Sequence, residues 1–193
     1  YIGIDVQPMG FQPIITEACN YDYGDHFFKA DSSAGQIASA DIRIGTSATD
    51  AEGDFSDSGA SLDDATGTDD EDVPTPTFVI GSANSFVIPV TIPVLANISG
   101  STSRINVWAD WNGDGDVLDP NETVAAQTVA TAGTSNVTFS LTPPAGTVAG
   151  TKYLRVRLTE GATAPTFSGT SALKGEVEDY AVNVSATAIY SIG

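Results

Sequence analysis

Oxygen-bearing side chains recur at alternate positions in Asp110–Glu122, which reads DWNGDGDVLDPNE. Asp110, Asn112, Asp114 and Asp116 alternate with other residues, and Gly113 and Gly115 sit between them. In a tight loop this alternation turns several oxygens toward one centre. A hard cation such as Ca²⁺ takes about 6–8 oxygens, drawn from carboxylates, amides and backbone carbonyls. With Asp110 as the first position, the first seven residues follow the spacing of an EF-hand loop, including the glycine at the sixth. The match then stops, because the acid expected at the twelfth position falls one residue late, at Glu122. The expected ligands are side-chain oxygens of Asp110, Asn112 and Asp114, the carbonyl of Asp116, and Asp119 or Glu122 to close the shell. The competing reading is a plain hairpin turn, since Asn-Gly and Asp-Gly are strong turn signals.

Two further groups of acids could share in such chemistry. From Asp50 to Asp72 the chain carries acids and no base, closing on Asp69, Asp70, Glu71 and Asp72. Carboxylates this dense repel one another unless a cation lies among them; otherwise the run is a solvated loop. Near the end, Glu176 and Glu178 alternate with Val177 and Asp179. In a strand they share one face with Tyr180, and Asp179 takes the other. This pair is expected to meet the Asp69–Asp72 cluster, or Asp22 and Asp25, around a cation or an arginine. Trp111 lies within the first loop, where an indole either stacks on a sugar ring or packs as a lid.

The elements that must hold these groups read as strands. Tyr153–Thr159 sets Leu154, Val156 and Leu158 on one face and Arg155 and Arg157 on the other. Asn136–Leu141 does the same with Val137, Phe139 and Leu141. Period two with one wet face marks antiparallel sheet, and the two arginines are expected to pair with carboxylates. Further strands are expected at Thr77–Ile80, Phe86–Ile92, Arg104–Ala109, Thr123–Val129 and Glu178–Val184, with a short one in Asp41–Gly45. Trp108 falls on the face opposite Ile105 and Val107. Asn20–His26 reads as a turn, and no segment sustains a helical period. Seven or more short strands with Gly-, Pro-, Ser- and Thr-rich turns predict an all-β fold. The fold class expected is an antiparallel β-sandwich, Greek-key or jelly-roll-like, with long acidic calcium-binding loops. Residues 20–186 form the domain, residues 1–19 an N-terminal extension with strand-like Tyr1–Val6, and residues 187–193 a C-terminal tail.

The chain has 193 residues and a formal charge of −18. That charge repels nucleic acid and anionic membrane and attracts cations. The single cysteine, Cys19, excludes an intrachain disulfide. With one histidine, His26, no histidine-based zinc site or Ser-His-Asp or Cys-His centre can be assembled. No signal peptide or apolar spanning run is visible, and the start at Tyr1 fits a leader already removed.

Lys174–Val182 reads KGEVEDYAV. With Asp22–Asp25 (DYGD), Asp63–Asp72 (DDATGTDDED), Val107–Asp116 (VWADWNGDGD) and Tyr153–Arg157 (YLRVR), it makes an ordered set of blocks. The chain resembles the GEVED domain family of bacterial extracellular β-sandwich modules. It departs from the family pattern after DYGD, where His26-Phe27-Phe28 replaces a small residue and proline, and at Val73, which replaces glycine. The resemblance implies a binding or structural module of secreted or surface-attached proteins, calcium-loaded and without catalytic activity. The expected partners are Ca²⁺ and other protein subunits, or cell-surface or glycan ligands. Two alternatives are a subunit of a self-assembling surface filament, joined by strand addition through the N-terminal extension, and a carbohydrate-binding module of a secreted enzyme using Trp111.

Overall fold

The computed structural model describes residues 21–24, 26, 28–29, 34–47, 49, 60, 73–93, 102–130 and 132–186. The N-terminal extension, Cys19, Asp25, the Asp50–Asp72 acids and the C-terminal tail lie outside the described residues. Ten strands and no helix occur among the described residues. They are β1 (Tyr21–Tyr23), β2 (Gly35–Ile37), β3 (Arg43–Ile44), β4 (Phe78–Val79), β5 (Asn84–Ile92), β6 (Ser103–Asp110), β7 (Gln127–Val129), β8 (Gly133–Leu141), β9 (Gly150–Glu160) and β10 (Thr170–Ser185).

A seven-stranded sheet runs β1-β2-β10-β9-β6-β7, with β4 also on β10, and a three-stranded sheet runs β3-β5-β8. Apolar side chains of both sheets form one core. Phe86, Ile88, Val90, Val137, Phe139 and Leu141 come from the small sheet, and Ile105, Val107, Leu154, Val156, Leu158 and Val182 from the large one. β8 shows why: its alternation puts Val137, Phe139 and Leu141 inside and leaves Asn136, Thr138 and Ser140 exposed. Strand sites carry β-branched and aromatic residues that fill such a pleated, half-buried surface.

β10 is the hub of the large sheet. It pairs antiparallel with β9 from Gly175 to Val184, and parallel with β2 at one end and β4 at the other. The sheet is therefore mixed, not purely antiparallel as expected. The segment read as a turn at Asn20–His26 instead contains β1, which pairs antiparallel with β2. Of the expected strand Thr123–Val129 only Gln127–Val129 is ladder, and Thr123 makes a single bridge to Trp108.

The largest departure concerns the outer face of β9. Period two implies that Arg155 and Arg157 face water, yet each is 1% exposed. His26, Gly35 and segment 166–169 reach this face and accept its guanidinium donors through their carbonyls. Both faces of β9 are thus covered, and Leu154 through Thr159 are all buried.

Candidate cation-binding loop and buried arginine clasp

The loop that follows β6 is organised by its own acids. Asp110, at the end of β6, accepts the N–H groups of Gly113 at 2.6 Å and Gly115 at 2.9 Å. Asn112 Oδ1 accepts from Asp114 N, Asp114 Oδ1 from Asp116 N, and Asp116 Oδ1 from Leu118 N. These are local side-chain-to-backbone bonds two residues ahead, which Asn and Asp make readily. Glu122 closes the ring: its Oε1 accepts Trp111 N–H at 3.0 Å and its Oε2 accepts Asp119 N–H at 3.1 Å. Gly113 and Gly115 adopt φ of 81° and 87°, which glycine tolerates without a Cβ penalty. At Gly115 space matters as well, because a Cβ there would lie 2.6 Å from Lys29 Cβ.

The predicted ligands separate into two groups. Asp110 and Glu122 are buried, at 4% and 1% exposure, and hold the loop backbone. Asp114, Asp116 and Asp119 present carboxylate oxygens within 4.8 Å of one another. Asp114 and Asp119 are exposed and Asp116 half-buried. Asn112 links the last pair, its Nδ2 donating to Asp114 Oδ2 at 3.0 Å and to Asp119 Oδ2 at 2.6 Å. Asp116 joins this group through its carboxylate, whereas the sequence reading assigned its carbonyl. Lys29 and Lys152 line a cleft with Asp110, Gly113, Asp114 and Gly115, a cleft that Asp116 and Asp119 do not border.

Burial raises the Glu122 carboxyl above its ordinary value. The nearby Asp110 charge pushes the same way, and the N–H groups of Asp119, Trp111 and Asn112 oppose it. The carboxylates of Asp114, Asp116 and Asp119 offer oxygen alone, which suits a hard cation and not a soft one, whereas Asn112 turns its Nδ2 to the cluster.

Of the two readings of Trp111, burial favours packing over sugar stacking. The residue is 1% exposed, belongs to the core, meets Phe78 edge-on at 5.3 Å, and donates its Nε1–H to the Asn121 carbonyl. Its apolar ring gains more from burial than from water, and the one polar atom is satisfied. No face of the indole is left for a sugar ring.

The second constellation joins blocks that are far apart in sequence. The register of β9 and β10 sets Asp179 opposite Arg155. Arg155 Nε donates to Asp179 Oδ1 at 2.8 Å and its terminal nitrogen to Oδ2 at 2.7 Å. This bidentate pair is almost fully buried, at 2% and 0% side-chain exposure. The guanidinium carbon lies 4.9 Å from the centre of Phe28 and 5.1 Å from that of Phe167. Gly24 of the DYGD block packs on the pair, since a Cβ there would approach Asp179 Oδ2 at 2.8 Å and the Arg155 terminal nitrogen at 3.0 Å. Asp179 Oδ2 also accepts His26 N–H, and Asp22 accepts Val177 N–H at 2.5 Å. Arg157 clamps β2 and the 161–169 loop through the carbonyls of Gly35, Thr166 and Gly169.

Glu176 and Glu178 share a face with Tyr180, as expected, and that face is the core side, opposite Leu158, Val156 and Leu154. Both are buried. Glu176 accepts the Ile44 N–H and, at 2.6 Å, the Thr49 hydroxyl. The carboxylate paired with Arg155 is that of Asp179. Asp22 bonds the backbone of Val177. Asp69, Asp70 and Asp72 lie outside the described residues, so their meeting with Glu176 and Glu178 is not placed. The sequence held a signal for the Arg155–Asp179 pair: both project to the side opposite the apolar residues of their strands. Nothing local marked Gln36, which donates to Leu158 O and accepts from Arg157 inside the protein.

Gly175, the first residue of GEVEDY, lies against β9 so closely that a Cβ would overlap the Leu158 carbonyl oxygen. The signature thus has a physical reading. Glycine allows the strands to approach, Glu176 anchors β3, and Asp179 receives the arginine of YLRVR. No protein of curated function matches the chain. The family model of the GEVED domain matches residues 104–183, from β6 to the end of the signature strand. Over this region the chain is similar to the GEVED domain family.

Proposed function

We propose that this chain is a calcium-binding structural or adhesive module of a bacterial cell-surface or secreted protein, with no catalytic role. The observation that carries the reading is the convergence of Asp114, Asp116 and Asp119 within 4.8 Å on a loop ordered by Asp110 and Glu122. Three carboxylates so close repel, and a divalent cation removes that cost. Asp114, Asp116 and Asp119 would hold the ion, with Asn112 beside them; the ion would neutralise the cluster and tie the loop ends together. The charge of −18 favours cation uptake throughout. An extracellular place fits weak calcium sites, which fill at the calcium levels found outside cells.

The test is a calcium titration by calorimetry, with metal content measured after dialysis. The Asp114→Ala/Asp116→Ala/Asp119→Ala variant is expected to lose one ion relative to the parent. An unchanged stoichiometry in that variant refutes the site.

A second reading, a subunit joined to its neighbour by strand addition, draws support from β8. Among the described residues this nine-residue strand pairs with β5 alone. Such an edge offers N–H and C=O groups to an incoming strand. Oligomer ladders that vanish on deletion of residues 1–19 would support it, and a monodisperse monomer at high concentration would oppose it.

A further inference from the structure

Asn112 is the only asparagine in the chain followed by glycine. It is exposed, at the surface of the acidic loop. An Asn-Gly pair can convert its own side chain. The backbone nitrogen of Gly113 attacks Cγ of Asn112, a C–N bond forms, and the side-chain nitrogen departs as ammonia with the proton. Water then opens the resulting five-membered imide at either carbonyl. One opening yields the Asn112→Asp change, and the other an isoaspartyl link with an extra methylene in the backbone. Gly113 has no side chain to shield the attacking nitrogen.

The folded loop engages the atoms that would have to move. The attacking nitrogen donates its proton to Asp110 Oδ1 at 2.6 Å. Such a bond to a carboxylate is charge-assisted and stronger than a neutral one. The target amide is held on both ends: its oxygen accepts from Asp114 N at 2.9 Å, and its Nδ2 donates to Asp114 and Asp119. Attack requires the Gly113 N–H to leave Asp110 and the Asn112 side chain to turn back on its own backbone. Loosening of the loop frees both at once.

We propose that Asn112 is a deamidation site that the folded loop holds in check through Asp110, Asp114 and Asp119, so that loosening of the loop converts the amide irreversibly to a carboxylate. The product works against the loop that restrained it. A donor shared between Asp114 and Asp119 becomes a like charge against both, and like charges at this separation disfavour each other. The isoaspartyl product also shifts the alternating spacing of Asp114 and Asp116 relative to Asp110.

The experiment follows Asn112 by peptide mapping and by isoaspartyl-specific methyl transfer during neutral-pH incubation in metal-free buffer. Native protein, the Asp110→Asn variant and the chain unfolded in urea are compared, with Asn136, exposed on β8, as an internal reference. The unfolded chain and Asp110→Asn are expected to deamidate at Asn112 at least about tenfold faster than native protein, the scale set by losing a hydrogen bond to a charged group. Equal rates in native and unfolded chains overturn the proposal, as does an absence of isoaspartate at Asn112 after unfolding. If Asp110→Asn fails to fold, Asp119→Ala removes an acceptor of Nδ2 on the exposed side of the loop. Acceleration there supports the proposal, and an unchanged rate overturns it.

Discussion

Replacing Asp179 by alanine is expected to be among the most damaging single changes in the described part of the chain. The variant leaves the Arg155 guanidinium buried between Phe28 and Phe167 without its bidentate acceptor. It also removes the acceptor of the His26 N–H, which helps to hold His26 on the sheet. Breaking a buried pair by deleting one partner costs about 3–5 kcal/mol, against about 0.2–1 kcal/mol for an exposed pair. At about 2–4 °C per kcal/mol for a domain of this size, the melting temperature should fall by roughly 6–20 °C. Thermal and urea unfolding followed by circular dichroism would measure it. The Arg155→Met/Asp179→Leu double variant should lose less than Asp179→Ala, because no charge is left stranded and apolar replacement of a buried pair is often neutral or better. Some loss should remain, since the carbonyls of His26 and Phe167 lose their donor. A cost below about 1 kcal/mol for Asp179→Ala, the value of a surface pair, would refute the reasoning. So would a double variant whose loss equals the sum of the singles, which means no coupling.

Glu122 titrates upward on burial, so ionising it costs folding free energy. Its raised pKa makes its contribution fully present below the unfolded value near 4.3 and lost as pH rises through the folded value. The stability of the parent relative to Glu122→Gln should therefore grow as pH falls through the folded value toward the unfolded one in metal-free buffer, and a flat difference in denaturant midpoints would contradict this. Under the calcium reading, a chelator should lower the melting temperature by roughly 5–11 °C, because an ion at 100 times its Kd stabilises by about 2.7 kcal/mol. Sodium at equal ionic strength should restore only a small part of it; full rescue by sodium would mean screening and not coordination. Gly175→Ala should destabilise by about 1–3 kcal/mol through the clash with the Leu158 carbonyl, measured by urea midpoint, and an unchanged midpoint would show that β9 and β10 can separate there without cost.

Much of the fold was legible in the sequence because strand patterning is a local property. Val137, Phe139 and Leu141 alternate with polar residues, and that alone places them inside. The acidic loop was legible for a similar reason. Its bonds run from one residue to another two to five positions on, so spacing nearly determines them. Only the split of its acids was hidden, because Glu122 is drawn inward by the Trp111 backbone that it caps.

The rest depended on contacts between segments distant in the chain. Alternation in YLRVR places the two arginines opposite the leucines, but it cannot say whether water or protein lies on that side. Tertiary structure decided this by bringing His26, Gly35 and segment 166–169 over β9, so that a face patterned as wet became a buried hydrogen-bonding face. Which acid meets Arg155 is likewise a matter of register. Asp179 faces it because Gly175 pairs with Thr159 and fixes every partner that follows along β10. A shift of one residue would bring Glu178 opposite Arg155 and turn the strand over, driving Asp179 into the core and Tyr180 out of it. Period two is written in the composition of each strand, whereas coverage and register arise only when the strands choose their neighbours.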